Sequence, residues 1–286
     1  FVASGEGKAA KAVRSLLYYG AAFSVLMLLT MELNDLFRKR AVGLTGDELR
    51  HIAYAHVHTF AVAMALYTVP TLWVGMRKLI QPFIVSGGAV LFLASLLGIA
   101  RGFQYDPVEY YTPLLNVRVI GLLILAVTGA WQTRMFGLKK GEFHWASGAQ
   151  LTARMVVVVV LFTILTGEVL DYFGRQIRLL SGDEEVRSQL ANLRQLAISG
   201  MWVLYSAALM AFGIGKRVRA IRLAAFVLFG ISILKIFIYD LSFLETLYRI
   251  FSFIALGVVL LAVSYAYQKF RHLIFGGEAP GRPEQL

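Results

Sequence analysis

Apolar runs of about twenty residues recur from one end of this 286-residue chain to the other, and that recurrence leaves few folds open. A bilayer offers no water to backbone amides and carbonyls, so a segment of this kind crosses as a helix. Eight runs stand out: 16–37, 53–76, 82–103, 117–135, 153–173, 196–214, 221–241 and 250–270. The expected fold is all-α, a polytopic transmembrane helical protein of about eight spans with both termini on one side (N-in/C-in). Composition agrees, with 58% hydrophobic and only 16% charged residues, where a soluble domain carries about 25% charged. The absence of cysteine excludes disulfides, thiolate chemistry and thiolate-held metals. The chain opens on Phe1 rather than Met, which admits a fragment or a processed product. Its first apolar run is long enough to span and stay, unlike a short cleavable signal.

The runs repeat in pattern as well as in length. Leu29-Thr30-Met31-Glu32-Leu33-Asn34-Asp35 returns as Leu165-Thr166-Gly167-Glu168-Val169-Leu170-Asp171, 136 residues later. Arg101-Gly102-Phe103-Gln104-Tyr105-Asp106 returns as Lys235-Ile236-Phe237-Ile238-Tyr239-Asp240, and Tyr67 and Gly75 return as Tyr205 and Gly213. Any two spans share leucine and valine; polar residues matched at span ends are a stronger sign of duplication. The expected organisation is a first four-helix transmembrane unit over 13–135 and a second over 149–272. A cytoplasmic linker (136–148) joins them, and a flexible cytoplasmic tail (273–286) follows. Four spans is an even number, so both units enter from the same side and the repeat is parallel. The stretches near 38–50 and 174–194 form the largest outer loops, and Ser181-Gly182-Asp183-Glu184 suggests a short interfacial helix in the second.

Net charge is +11, but its distribution argues against nucleic acid. One side of the membrane collects 16 basic residues against four acids, while the other has 12 basic and 13 acidic. The positive-inside rule makes the basic side cytoplasmic. Anionic lipid headgroups are then a sufficient partner for that face.

The residues most in need of explanation lie at the other ends of the spans. They are Glu32, Asp35, Arg101, Asp106 and Arg118 in the first unit, and Glu168, Asp171, Lys235, Asp240 and Arg249 in the second. Glu32 and Asp35 are three apart and share a helix face, as do Glu168 and Asp171. About one turn inside a helix end, an ionised carboxylate has to pair, hydrogen-bond or take up a proton. Arg101 and Lys235 are the partners that position suggests. Two readings stay open: structural ion pairs that clamp helices, or a cluster facing a cavity that binds a polar ligand or relays protons.

Histidine supplies less. His51 and His58 are seven apart on one face, with His56 elsewhere, and His144 and His272 belong to the other side of the membrane. One helix cannot offer both axial ligands of a haem, and a metal held by Asp47, His51 and His58 lacks specific spacing. Ordinary hydrogen bonding at an aqueous interface is the expectation for these histidines. No metal site and no cofactor is expected. The chain has no phosphate loop, nucleophile elbow or HExxH.

The stretch Ile233-Leu234-Lys235-Ile236-Phe237-Ile238-Tyr239-Asp240-Leu241-Ser242-Phe243-Leu244, followed by Tyr248-Arg249 and Ser264-Tyr265-Ala266-Tyr267-Gln268, carries a resemblance. It is similar to a bacterial family of polytopic predicted membrane proteins of unknown function, most clearly over 160–270 and, through the repeat, over 25–135. Members of that family are typically much longer than this chain. The resemblance implies a multi-pass protein of the bacterial inner membrane and brings no activity with it. Two functions remain in view. The first is a non-enzymatic, transport-like or complex-forming subunit, which leaves a membrane protein complex open as a partner. The second is an enzyme at the outer leaflet acting on a lipid-linked or glycan substrate, with Glu32 and Asp35 as acid and base by analogy with some integral-membrane glycosyltransferases.

Overall fold

A computed structural model describes residues 2–103, 111–139, 141–180, 184–240 and 246–275. Eight α-helices follow in order: α1 (Val2–Ala41), α2 (Gly46–Lys78), α3 (Gln81–Gly102), α4 (Val117–Leu138), α5 (Ala146–Leu179), α6 (Glu184–Gly215), α7 (Arg219–Lys235) and α8 (Thr246–Phe275). A single π turn, Ile236–Asp240, continues α7. Among the described residues there is no strand, and seven helices, α1 to α7, are long and apolar enough to cross a membrane. The protein is a multi-pass membrane protein.

Two polar stretches read as outer loops belong to the helices instead. α5 continues to Leu179 and α6 begins at Glu184, so the residues on either side of 181–183 extend spanning helices rather than form a separate interfacial one. Likewise α1 continues to Ala41 and α2 starts at Gly46. The physical reason is cooperativity: once a span has nucleated a helix, adding a polar turn gains one hydrogen bond per residue fixed.

The chain divides into two compact units, Phe1–Arg178 and Leu179–Leu286. That division falls at the end of α5. In the first unit α2, α3, α4 and α5 surround a core of Ala61, Ala65, Leu91, Ala94, Leu122, Leu125 and Val160. Small residues let these helices approach closely, which is how spans associate where lipid is as apolar as protein. One buried polar tie crosses the bundle: Gln132 Nε2 donates to Thr68 Oγ1 (3.0 Å) and to the Gly87 carbonyl (3.3 Å). α1 is held more lightly. Tyr67 donates its hydroxyl to the Ala22 carbonyl at 2.6 Å, and Phe37 stacks on His56 with ring centroids 4.6 Å apart.

Each unit contains the same tight helical hairpin. Between α2 and α3, Leu79 is left-handed (φ 54°) and the Ile80 N–H donates to the Gly75 carbonyl at 3.0 Å. Between α6 and α7, Arg217 is left-handed (φ 53°) and the Val218 N–H donates to the Gly213 carbonyl at 2.9 Å. This is a helix C-terminal cap that satisfies an otherwise orphaned carbonyl. Glycine is required at both places, because a Cβ on Gly75 would lie 2.9 Å from the Ile84 backbone N and one on Gly213 would lie 2.8 Å from Arg222 Cγ.

Candidate functional site

Six of the expected residues, Asp35, Arg118, Glu168, Asp171, Lys235 and Asp240, make hydrogen bonds or ion pairs that can be followed atom by atom. Three of the first unit's helices bring Arg118, Glu168 and Asp171 together at one end of the bundle. Arg118 lies in the first turn of α4, and Asp171 and Glu168 on one face of α5. Arg118 Nη2 donates to Asp171 Oδ2 at 2.5 Å, and Nη1 donates to the Gly102 carbonyl at the end of α3 at 3.2 Å. The pair is almost sealed: Arg118 is 1% exposed and Asp171 5%. Phe103 lies beneath the guanidinium, 5.6 Å from ring centroid to Cζ. A guanidinium is planar and forked, which suits it to hold a carboxylate and a carbonyl at once.

Gly167 makes this contact possible. A Cβ there would sit 2.5 Å from Arg118 Cζ and 2.6 Å from Nη2, so the guanidinium lies flat against the bare backbone of α5. The corresponding residue of the first copy is Met31. α1 therefore cannot receive an arginine in the same way, although it carries the same two acids.

Glu168 acts on the loop that leads into α4. Its carboxylate accepts from the Leu114 N–H (2.8 Å), from Asn116 Nδ2 (2.6 Å) and from the Tyr111 hydroxyl (3.3 Å). Asn116 is also the N-cap of α4, its Oδ1 accepting from the Val119 N–H at 3.0 Å. One carboxylate thus orients the residue that caps the next helix, and it holds Leu114 in a left-handed conformation (φ 61°) that a leucine rarely adopts. Burial, and then the charge and hydrogen bond of Glu168, push the Tyr111 phenol well above its ordinary pKa.

The remaining expected residues fall elsewhere. Lys235 and Asp240 lie in the second unit, at the two ends of the π turn. Lys235 Nζ donates to Asp240 Oδ1 (2.9 Å), Ser199 Oγ (2.6 Å) and the Gln195 carbonyl (3.3 Å), which uses all three of its protons. Asp240 is fully buried. Hence Glu168 and Lys235 each find these partners inside their own unit. Glu32 is exposed and has no hydrogen-bonded or ion-paired neighbour among the described residues. Asp35 pairs with Lys39 at 2.6 Å on the same exposed face, and Arg101 is exposed at the end of α3. Asp106 and the side chain of Arg249 lie outside the described residues.

Sequence reading missed Asn116 and the part played by Gly167, and it assigned His58 to the wrong surroundings. An asparagine directly before an apolar run is a helix-cap signal, and the Gly167/Met31 difference was visible in the aligned repeats. His58 departs from the expected interfacial role. It is 1% exposed, its ring meets Tyr54 edge-on at 4.6 Å, and neither ring nitrogen has a hydrogen-bond partner. Among the described residues no three histidine or carboxylate groups converge where a metal could sit.

A family model described as predicted membrane protein (DUF2339) matches residues 2–270. The chain belongs to that family. The match spans both units, including the polar cluster of the first and the Lys235–Asp240 pair of the second. Neither the curated proteins nor the solved structures contain a match to it. DUF2339 carries no assigned activity, so what this member does has to be argued from its own residues.

Proposed function

We propose that this DUF2339 member is a non-enzymatic, complex-forming subunit of the bacterial inner membrane that assembles through α1. The observation that carries this is the contrast between the two acidic pairs. On α5 the pair is committed internally, Asp171 to Arg118 and Glu168 to the α4 cap. On α1 the same pair is exposed, on a helix whose most apolar window is only 6% buried. Carboxylates and an apolar face left uncovered on a spanning helix are what a helix–helix contact with another subunit would cover. The cluster of the first unit then serves as a clamp on the fold.

Within this reading the chain has eight spans in two parallel repeats (13–135 and 149–272), with linker 136–148 and both termini cytoplasmic. The matching hairpins at Gly75 and Gly213, and the 30-residue length of α8, support that arrangement. The concentration of basic residues on one side supports the orientation, with anionic headgroups as partners there.

The chain has no cysteine, so single-cysteine variants report one position each. In native membranes, Leu28→Cys and Met31→Cys on α1 should yield a discrete cross-linked species of higher mass. Leu93→Cys, also exposed on α3, should not. If all three stay monomeric, or all three cross-link alike, α1 is not an assembly face.

A further inference from the structure

The joint between α4 and α5 has an uncovered counterpart on α1 and α8. In the first unit α4 and α5 run antiparallel, and two glycines mark where they touch. A Cβ on Gly129 of α4 would lie 2.9 Å from Val157 Cγ2, and one on Gly167 of α5 would lie 2.5 Å from Arg118 Cζ. The stripe of α5 at this joint is Val156, Val160, Ile164, Gly167 and Asp171, all buried. Val156, Val160 and Ile164 share a core with Leu122, Leu125 and Ala126 of α4.

The same stripe stands on α1, 136 residues earlier, as Gly20, Ser24, Leu28, Met31 and Asp35. There every member is exposed. It is not the face that α1 turns to its own unit, since Ala22 and Phe37, which are buried, lie on the opposite side of the helix. The α4 pattern recurs in turn on α8, where Gly121-Leu122-Leu123-Ile124-Leu125-Ala126-Val127 returns as Gly257-Val258-Val259-Leu260-Leu261-Ala262-Val263 at the same offset. The counterparts of Arg118, Leu122, Leu125 and Gly129 are Ile254, Val258, Leu261 and Tyr265, which are between 60% and 72% exposed. Set across such a joint, the changed residues compensate in size. α4 offers Arg118 and α5 clears its path with Gly167; α8 offers the shorter Ile254 and α1 fills the space with Met31. Where Gly129 meets Val157, the counterparts are Tyr265 and Ala21, so the larger residue has changed sides. Asp35 needs no arginine from across the joint, because Lys39 already holds it. Gly20 and Ser24 are four apart, and small residues at that spacing let spans approach closely.

We propose that α8 of a second copy of this chain covers α1 in the way that α4 covers α5. This rests on the proposed assembly through α1 and names its partner. With eight spans, α8 of a copy in the same orientation runs antiparallel to α1, as the joint requires. The contact is heterologous: each copy offers α1 to one neighbour and α8 to another, and the copies close into a ring or continue as a row.

Two differently tagged full-length chains, one with Ala21→Cys and the other with Tyr265→Cys, test it when co-expressed and oxidised in native membranes. A disulfide-linked species of two chains' mass, bearing both tags, is expected. Replacing Tyr265→Cys by Leu260→Cys, exposed on the other face of α8, should lose that species. Assembly itself is read separately, by a photoreactive group attached to Leu28→Cys that captures any neighbour of α1. Ala21→Phe should abolish capture of a second copy there, and Tyr265→Ala in the same chain should restore it. Capture at Leu28 without the Ala21–Tyr265 disulfide overturns α8 as the partner and leaves assembly through α1 standing. No capture at all overturns both. A single chain carrying both cysteines should give a ladder of multiples; a disulfide that stays at one chain's mass overturns the proposal.

Discussion

Gly167→Ala is the sharpest perturbation this structure offers, because it adds one carbon and removes nothing. The new Cβ would lie 2.5 Å from Arg118 Cζ, 2.6 Å from Nη2 and 2.7 Å from Nε. A flexible side-chain end could swing away from such a contact. This guanidinium cannot, because Asp171 and the Gly102 carbonyl fix it and the site is sealed from water. Either the pair separates or α5 moves. Separating a buried pair by disabling one partner costs about 3–5 kcal/mol, offset by the ~1 kcal/mol that alanine gains over glycine in a helix. A net loss of about 2–4 kcal/mol is expected, which for a unit of this size lowers the unfolding midpoint by roughly 5–15 °C. Thermal unfolding in detergent, followed by circular dichroism, measures it. In an Arg118→Leu/Asp171→Leu background the same substitution should be neutral or stabilising, since the obstacle is gone; the cycle isolates the steric term. Gly20→Ala and Gly230→Ala, where a Cβ meets nothing within 4 Å, serve as controls and should be neutral or better. If Gly167→Ala in the native background were as stable as those controls, the close approach of Arg118 to α5 would be refuted.

Two further outcomes follow from the same contacts. Burial and Glu168 raise the Tyr111 pKa, so its neutral phenol is favoured in the folded state. That contribution is complete below the ordinary phenol range, near pH 10, and is lost as pH rises through the raised value. Tyr111→Phe should therefore remove no phenolate absorbance at pH 10.5 in the folded protein, and should restore one tyrosine's worth of difference only after unfolding. In the second unit, Asp240→Asn leaves the part-buried Lys235 ammonium without its charge partner and should destabilise by about 2–3 kcal/mol, less than the roughly 3–5 kcal/mol of a fully buried pair. Lys235→Leu/Asp240→Leu should recover most of that loss in the same unfolding assay, because a clamp can be replaced by apolar packing.

The helical class and the location of the polar cluster were legible in the sequence, and both for energetic reasons. A run of twenty apolar residues has one low-energy fate in a bilayer, so each expected run falls in a helix of its own, although α1 and α6 begin 14 and 12 residues before the runs at 16 and 196. Carboxylates one turn inside a span end are costly enough to mark themselves, and Glu168, Asp171, Lys235 and Asp240 all proved to be bonded. Their partners were not legible. Arg101 stood nearest to Glu32 in the pattern, yet Arg118 is the residue that enters the bundle, because Gly167 leaves room for it and Met31 does not. Nor could sequence show that Glu168 would cap through Asn116, since that bond joins residues 52 apart. His58 reads as a polar residue near an interface and is instead packed against Tyr54 within the helices. Helical periodicity indicates which face a residue occupies, but not what stands opposite.

By itself, then, the sequence determined that this chain crosses a membrane repeatedly as helices, carries matched acidic pairs at span ends and gathers its basic residues on one side. Hydrophobic transfer and the need to satisfy every backbone group act residue by residue, so they are written locally. Only the tertiary structure decided that one acidic pair is a clamp while its twin on α1 is exposed. That choice depends on whether a Cβ stands between a guanidinium and a helix backbone, and the approach of the two is set by how α3, α4 and α5 pack and not by any one of them alone.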